Sequence, residues 1–243
     1  MPRTTSPKAC SFELHVGGAR RYRPEMFKPV ALAIALAALT PATAGAQTFT
    51  RSPGETAQKF AERALNLPAD SAETDRDAHI LETTWNGRTV VFVDYLVTTK
   101  TFDARQKETV EDTNRFLVAL EDTGHGVFRK LDVTLGEEEG GIADIAAIGF
   151  ANADKDLEKE LVVILKWEQA LHADYAGTEY EVRIFDNAAP SQSRLAYLQS
   201  VSKQFGGNIC DCEYDDGAGR VRKQRARYKT VADVNKHLKE LGF

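Results

Sequence analysis

The sequence is poor in cysteine, lacks the short motifs of common enzyme classes, and contains no apolar run long enough to span a membrane. Only three of its 243 residues are cysteine, which excludes a fold held together by a framework of disulfides. It contains no G-x-S-x-G turn, no P-loop and no H-E-x-x-H helix. No stretch reaches the roughly 20 apolar residues that a transmembrane helix requires. We therefore expect a fold stabilised mainly by an apolar core.

The sequence also lacks an excess of positive charge. The 31 Lys and Arg residues are outnumbered by 36 Asp and Glu residues, so the formal net charge is −5. Proteins that bind nucleic acids generally need a positive surface to displace counterions from the phosphates, and this balance argues against such a partner. Hydrophobic residues at 42% and charged residues at 28% are typical of a soluble globular protein. No internal repeat of about 20–50 residues is visible, which argues against a complete propeller or solenoid.

The N-terminal segment has the pattern of a secretory signal peptide. Ten apolar residues, Val30 to Leu39, follow Lys28. Ala44-Gly45-Ala46 then supplies the small residues that signal peptidase accepts. The alternative is a transmembrane helix, but ten residues span only about half of a ~30 Å hydrocarbon core. We predict a start at Met26, cleavage after Ala46, and export to the periplasm or the medium.

Cleavage would leave a more acidic protein. Residues 1–46 carry six basic and two acidic side chains, so residues 47–243 hold 25 basic against 34 acidic side chains, a net charge of −9. This charge makes a cation a more natural partner than a polyanion. We expect residues 47–243 to form a single globular domain.

The hydrophobic pattern predicts an α+β fold, with an antiparallel, meander-like sheet and a helix at each end. One helix is expected to begin at Ser52-Pro53-Gly54-Glu55 and to end at Pro68; a second should run from the Thr230 cap to Gly242. Ser193 to Phe205 fits either a helix or a strand. The β-rich segments are joined mostly by short connections, which favours antiparallel pairing. These segments are 88–96, 115–120, 126–135, 145–150, 161–167 and 180–185.

One segment has a more specific chemical pattern. Side chains with oxygen atoms occupy alternate positions directly before an apolar run: Asn152, Asp154, Asp156, Glu158 and Glu160. A loop that curls around a hard cation needs such a pattern, because Ca²⁺ takes several oxygen ligands at about 2.3–2.6 Å. The alternative is an acidic turn that keeps this shape without a metal.

The segment resembles a single FG-GAP or VCBS-type repeat, the D-x-D-x-D-G-x-x-[DE]-hydrophobic loop of integrin-like propellers and bacterial secreted proteins. The resemblance implies that the first three ligand positions are Asn152, Asp154 and Asp156. It also implies that Glu158 offers its backbone carbonyl and that Glu160 closes a Ca²⁺ site. Leu157 stands where the family has glycine, and an asparagine replaces the usual first aspartate. Only this short stretch of the chain carries the resemblance.

Cys210 and Cys212 are the only cysteines that would remain after cleavage. In an oxidising compartment they could close a small, strained ring that is easily reduced, which makes a thiol–disulfide redox protein an alternative function. The C-x-x-C pattern between a strand and a helix, typical of thioredoxin-like enzymes, is missing. A local staple, or a disulfide to another chain, is the other interpretation of this pair.

The remaining polar features suggest no specific reaction. The basic stretch Arg220 to Lys229 follows an acidic cluster, and pairing of the two across a hairpin accounts for both. The histidines of residues 47–243 have no metal-binding spacing; they are His79, His125, His172 and His237. A hydrolase whose site is assembled only by folding is a further alternative. The leading hypothesis is an exported, non-enzymatic binding or structural domain with a calcium-loop-like turn and an unidentified protein or small-molecule partner.

Overall fold

The computed structural model describes residues 46–67, 79–103, 105, 107–133, 135, 142–170, 175–207, 209–215 and 220–243. The predicted signal peptide, apart from Ala46, lies outside the described residues. The strands are β1 (Thr48–Thr50), β2 (His79–Trp85), β3 (Arg88–Asp103), β4 (Glu108–Asp122), β5 (Val127–Val133), β6 (Asp144–Ala151), β7 (Glu160–Ala170), β8 (Tyr175–Asp186), β9 (Ala196–Tyr197), β10 (Ile209–Asp215) and β11 (Val221–Gln224). The helices are α1 (Ala57–Leu65), α2 (Gln199–Ser202) and α3 (Val231–Leu241), and a 3-10 turn spans Lys203–Phe205.

The strands form two antiparallel sheets. The N-terminal sheet has the order β1-β5-β4-β3-β2, and the C-terminal sheet has the order β11-β10-β8-β7-β6, with β9 beside β8. Within each sheet, consecutive strands such as β2 to β5 and β6 to β8 pair as meanders. The prediction of antiparallel, meander-like pairing is therefore confirmed, whereas the prediction of one sheet is wrong. The fold has both helices and antiparallel sheets, but it is mainly β.

The inner faces of the two sheets pack against each other. Phe92 and Leu117 of the N-terminal sheet and Leu161 and Leu165 of the C-terminal sheet are fully buried in this layer. The ring of Trp85 stacks on that of Phe150, with a centroid distance of 5.8 Å and an interplanar angle of 11°. Burial of this apolar surface is the main stabilising contribution that the sequence predicts.

Helices cover the outer faces of both sheets. Val91 on β3 packs with Phe60 of α1, and Ile164 on β7 packs with Val234 of α3. The layers therefore follow the order helix, sheet, sheet, helix. Because successive residues of a strand point to opposite faces, the buried stretches 90–93, 117–120 and 161–165 are apolar at every position. None of the described helices is long and apolar enough to cross a membrane.

Helix α1 begins later than predicted, at Ala57. Residues 52–55 close a turn of their own, in which Glu55 N–H donates to the Ser52 carbonyl and Ser52 N–H donates to the Glu55 carboxylate. Gly54 has a φ of +77°, which a right-handed helix does not accommodate. Thr56 is the N-cap instead, and Asn66 in the left-handed conformation ends the helix before Pro68.

Helix α3 confirms the prediction for the C-terminal segment. The side chain of Thr230 accepts from the N–H of Asp233, and the Asp233 carboxylate accepts from the N–H of Thr230, which forms a capping box. Gly242 ends the helix with a φ of +92°. Ser193 to Phe205 contains both candidate structures, since β9 is followed by α2 and the 3-10 turn.

Gly149 allows α3 to lie close to β6. A Cβ atom at this position would be 2.8 Å from both methyl carbons of Val231. We expect Gly149→Ala to lower the free energy of unfolding by about 1–3 kcal/mol, because overpacking forces the helix or the side chain to move. Urea denaturation measures the change, and adding Val231→Ala should restore most of it. An unchanged unfolding midpoint in the single variant would contradict this account.

Candidate metal site

The acidic loop predicted from the sequence joins β6 to β7 at one end of the C-terminal sheet. Two successive turns within it are closed by side chains: Asp154 Oδ1 accepts from the N–H of Asp156 at 2.8 Å, and Asp156 Oδ1 accepts from the N–H of Glu158 at 2.8 Å. Short acidic side chains favour such turns because they replace a backbone acceptor. Leu157 is fully exposed, and the loop turns without a positive φ at this residue. The glycine that the family has there is therefore not required.

The turn between β2 and β3 holds the loop against the N-terminal sheet. Asn86 Oδ1 accepts from the N–H of Lys159 at 2.8 Å, and Asn86 Nδ2 donates to the carbonyl of the same residue at 3.0 Å. The indole N–H of Trp85 donates to that carbonyl as well. These bonds fix the backbone of the residue immediately before Glu160.

Three carboxylates converge where the loop enters β7. One carboxylate oxygen from each of Asp154, Glu160 and Asp186 lies within 4.8 Å of the other two. Asp186 is the last residue of β8, and the register that pairs Leu161 with Phe185 brings it beside Glu160. Oxygens about 2.4 Å from one cation can be at most about 4.8 Å apart, so the three carboxylates are close enough to share one Ca²⁺ ion.

Glu160 is the most unusual member of the cluster. Its side chain is completely buried, its Oε2 accepts from the N–H of Ala153, and its Oε1 has no hydrogen-bond partner. A buried acceptor without a partner is costly, so this oxygen requires a ligand or a proton. The Glu160 carboxylate lies beside those of Asp154 and Asp186, which makes it a candidate ligand for a cation.

The electrostatics of the cluster agree with that interpretation. Burial raises the pKa of Glu160 to about 7, and the negative charges of Asp154 and Asp156 act in the same direction. Burial also raises the pKa of Asp186, while the N–H of Asn187 opposes the shift. A cation would reverse both effects by favouring the charged carboxylates.

The structure brings together only part of the predicted ligand set. Of the predicted residues, Asp154 and Glu160 lie in the cluster. The side chain of Asn152 is exposed, Asp156 is exposed and closes a turn, and the Glu158 carboxylate accepts from Asn187 Nδ2. Asp186 was not predicted. Its position after a β-rich segment was the available signal, because the end of one antiparallel strand lies beside the start of its neighbour.

The second predicted pair, Cys210 and Cys212, forms a disulfide within β10. Both residues are buried, and Gly177 on β8 leaves room for them, since a Cβ there would lie 2.8 Å from the Cys212 sulfur. Thiol–disulfide exchange requires a thiolate to reach a sulfur, so this burial favours a local staple. The redox hypothesis gains no support from the geometry.

The other polar features have local partners. Lys223 pairs with Glu213 across β10 and β11, and Arg225 and Lys229 both pair with Asp211, as expected for opposite charges across a hairpin. Among the histidines, His125 has a φ of +56° at a turn, His79 contacts Asp94, and His237 packs against Phe205 and Tyr228. His172 lies outside the described residues.

Comparison with protein-family models finds no match for this chain, and no curated protein or solved structure matches it either. The resemblance of the loop to an FG-GAP-type repeat therefore stays a prediction. Any functional conclusion rests on the geometry of the site itself.

Proposed function

We propose that this protein is an exported, non-enzymatic domain that binds Ca²⁺ through Asp154, Glu160 and Asp186. The observation that carries the proposal is the buried Glu160 carboxylate, whose Oε1 lacks a hydrogen-bond partner and which lies in a cluster with the carboxylates of Asp154 and Asp186. Three carboxylates provide hard oxygen ligands with the adaptable geometry that Ca²⁺ accepts. The predicted signal peptide and the acidic charge of residues 47–243 agree with a calcium-dependent role outside the cytoplasm.

The function of the cation, in this proposal, is to fix the end of the two-sheet core. The cluster joins the β6–β7 loop to the end of β8, and Asn86 ties the same loop to the N-terminal sheet. A cation bound there would cross-link the β6–β7 loop to the end of β8. It would also neutralise the buried carboxylate of Glu160, whose charge otherwise destabilises the folded protein.

Calorimetric titration tests this proposal directly. EDTA-treated protein, dialysed free of chelator at pH 7.5, should bind one Ca²⁺ per chain, with proton release because the ligands must be deprotonated. Titration in two buffers of different ionisation enthalpy measures that release. Mg²⁺ should compete poorly, since it demands stricter octahedral geometry. The absence of binding heat, together with an unchanged melting temperature in Ca²⁺, would overturn the proposal.

The raised pKa of Glu160 predicts how the stability of the calcium-free protein depends on pH. The folded state retains a proton on this carboxyl that the unfolded state releases, so the stabilising contribution is complete below about pH 4.5 and is lost as pH rises through about 7. The loss amounts to at most about 3 kcal/mol. We expect urea denaturation in EDTA to show this decline between pH 5 and pH 8. Saturating Ca²⁺ should remove the decline, and an identical slope with and without Ca²⁺ would contradict the assignment.

A further inference from the structure

A cavity of about 480 Å³ opens beside the candidate metal site, and the proposed function does not use it. Asp186 and Glu158 line it together with Arg88, Arg129 and Gln192. Its volume lies within the range of about 300–1,000 Å³ that is typical of small-molecule sites. Because Asp186 belongs to both features, a molecule in the cavity would share this residue with the cation.

A buried ion pair builds one wall of this cavity. Arg129 is only 4% exposed, its Nε donates to the Glu121 carboxylate, and its two terminal nitrogens donate to the carbonyls of Ala188 and Ala189 at 2.8 Å each. The chain that follows Asp186 is thereby held in place. All three nitrogens of the Arg129 guanidinium therefore donate to protein acceptors, so the role of this side chain is structural.

Arg88 has donors to spare. Its Nη1 donates to Glu121 at 2.9 Å, but that carboxylate is already neutralised by Arg129, and the Arg88 side chain is 52% exposed. Among the described residues, none accepts a hydrogen bond from its Nε or Nη2. The side-chain amide nitrogen of Gln192 likewise has no acceptor there, while its oxygen accepts from Ala189 N–H. Unoccupied planar donors of this kind match a carboxylate.

The charges of the metal site indicate which groups of a molecule in the cavity would contact the cation. Asp154, Glu160 and Asp186 bring three negative charges to one divalent cation, which disfavours a fourth anionic ligand. Ca²⁺ takes six to eight oxygens, so neutral oxygens are favoured at the remaining positions. A hydroxyl group supplies such an oxygen.

We propose that the cavity binds a small polyhydroxy acid, such as a sugar acid. Its hydroxyl groups would complete the coordination of the cation, and its carboxylate would pair with Arg88 and Gln192. The inference rests on the proposed function, because the hydroxyl contacts require the cation. Binding should therefore depend on Ca²⁺ and on the acid group at the same time.

Calorimetry with matched probes tests this inference. D-galacturonate has both hydroxyls and a carboxylate, D-galactose lacks the acid group, and acetate lacks the hydroxyls. Galacturonate should bind the calcium-loaded protein, and both other probes should bind at least about tenfold more weakly. Arg88→Gln should weaken galacturonate binding about tenfold. Arg225→Gln, which removes an exposed cation outside the cavity, should leave binding unchanged.

The outcomes separate the two proposals. Titration of Ca²⁺ alone reports on the metal site, whether or not galacturonate binds. Given Ca²⁺ binding, a failure of galacturonate to bind overturns the cavity inference and leaves the proposed function standing. Equal affinity for galactose, equal affinity in EDTA, or equal affinity in Arg88→Gln overturns it as well. Loss of galacturonate binding in EDTA, together with about tenfold weaker binding in Arg88→Gln, supports it.

Discussion

Replacing Glu160 by glutamine should abolish the stabilisation by Ca²⁺ and, without Ca²⁺, should make the protein more stable at pH 8. The two effects have opposite signs because the same carboxylate is a ligand in one state and an unpartnered buried charge in the other. At a Ca²⁺ concentration of 100 times Kd, the wild type should gain about 2.7 kcal/mol, and the variant should gain nothing. In EDTA the variant should exceed the wild type by about 1–3 kcal/mol, since it no longer buries a charge.

Urea denaturation at pH 8, with EDTA or with Ca²⁺, measures both effects in one experiment. Glu158→Gln is the matched control, because Glu158 belongs to the same loop and is exposed. It should keep a calcium response close to that of the wild type. A normal calcium response in Glu160→Gln would show that Glu160 is not a Ca²⁺ ligand. Lower stability of the variant than of the wild type in EDTA would show that the buried charge of Glu160 does not destabilise the calcium-free protein.

Replacing Trp85 by alanine should lower the free energy of unfolding by about 3–5 kcal/mol. The side chain is 4% exposed between the two sheets, where it stacks on Phe150 and packs near Phe92. Removing it leaves a cavity at the point where the sheets meet the β6–β7 loop. The loss should appear as a lower midpoint in urea with little change in m-value.

Trp85→Phe separates the packing of this residue from its hydrogen bond. The ring largely fills the same space, but the donor to the Lys159 carbonyl is lost. We expect a smaller destabilisation, of about 1–2 kcal/mol, and weaker binding of Ca²⁺, because the residue before Glu160 is held less firmly. Equal destabilisation by alanine and phenylalanine would contradict the packing argument.

The sequence was sufficient to find two of the three carboxylates of the candidate site. Asp154 and Glu160 were predicted because their spacing in one loop is visible along the chain. Asp186 was missed because its contribution depends on the pairing of β7 with β8, and only the register places it opposite the start of β7. Asn152 and Asp156 are exposed outside the three-carboxylate cluster, since alternation along a loop does not determine which side chains turn inward.

The fold was likewise predicted where the signals are local, and it was missed where it depends on tertiary packing. The capping residues around Thr230 and Gly242 predicted α3 because caps are local signals. The apolar runs around Val91 and Val162 predicted strands. Because these runs are apolar on both faces, they do not indicate whether a helix or a second sheet covers each face. The two-sheet arrangement is decided by tertiary packing. Likewise, the left-handed conformation of Gly54 moved the start of α1 beyond the predicted turn.

The most direct test of the calcium site is the dissociation constant for Ca²⁺ in Asp186→Asn compared with that in Asp156→Asn. Both changes remove one carboxylate charge near Glu160, but only Asp186 lies in the three-carboxylate cluster. Our account predicts at least about tenfold weaker binding for Asp186→Asn and less than about threefold for Asp156→Asn. Equal losses, or a larger loss for Asp156→Asn, would contradict it and favour the loop-only ligand set.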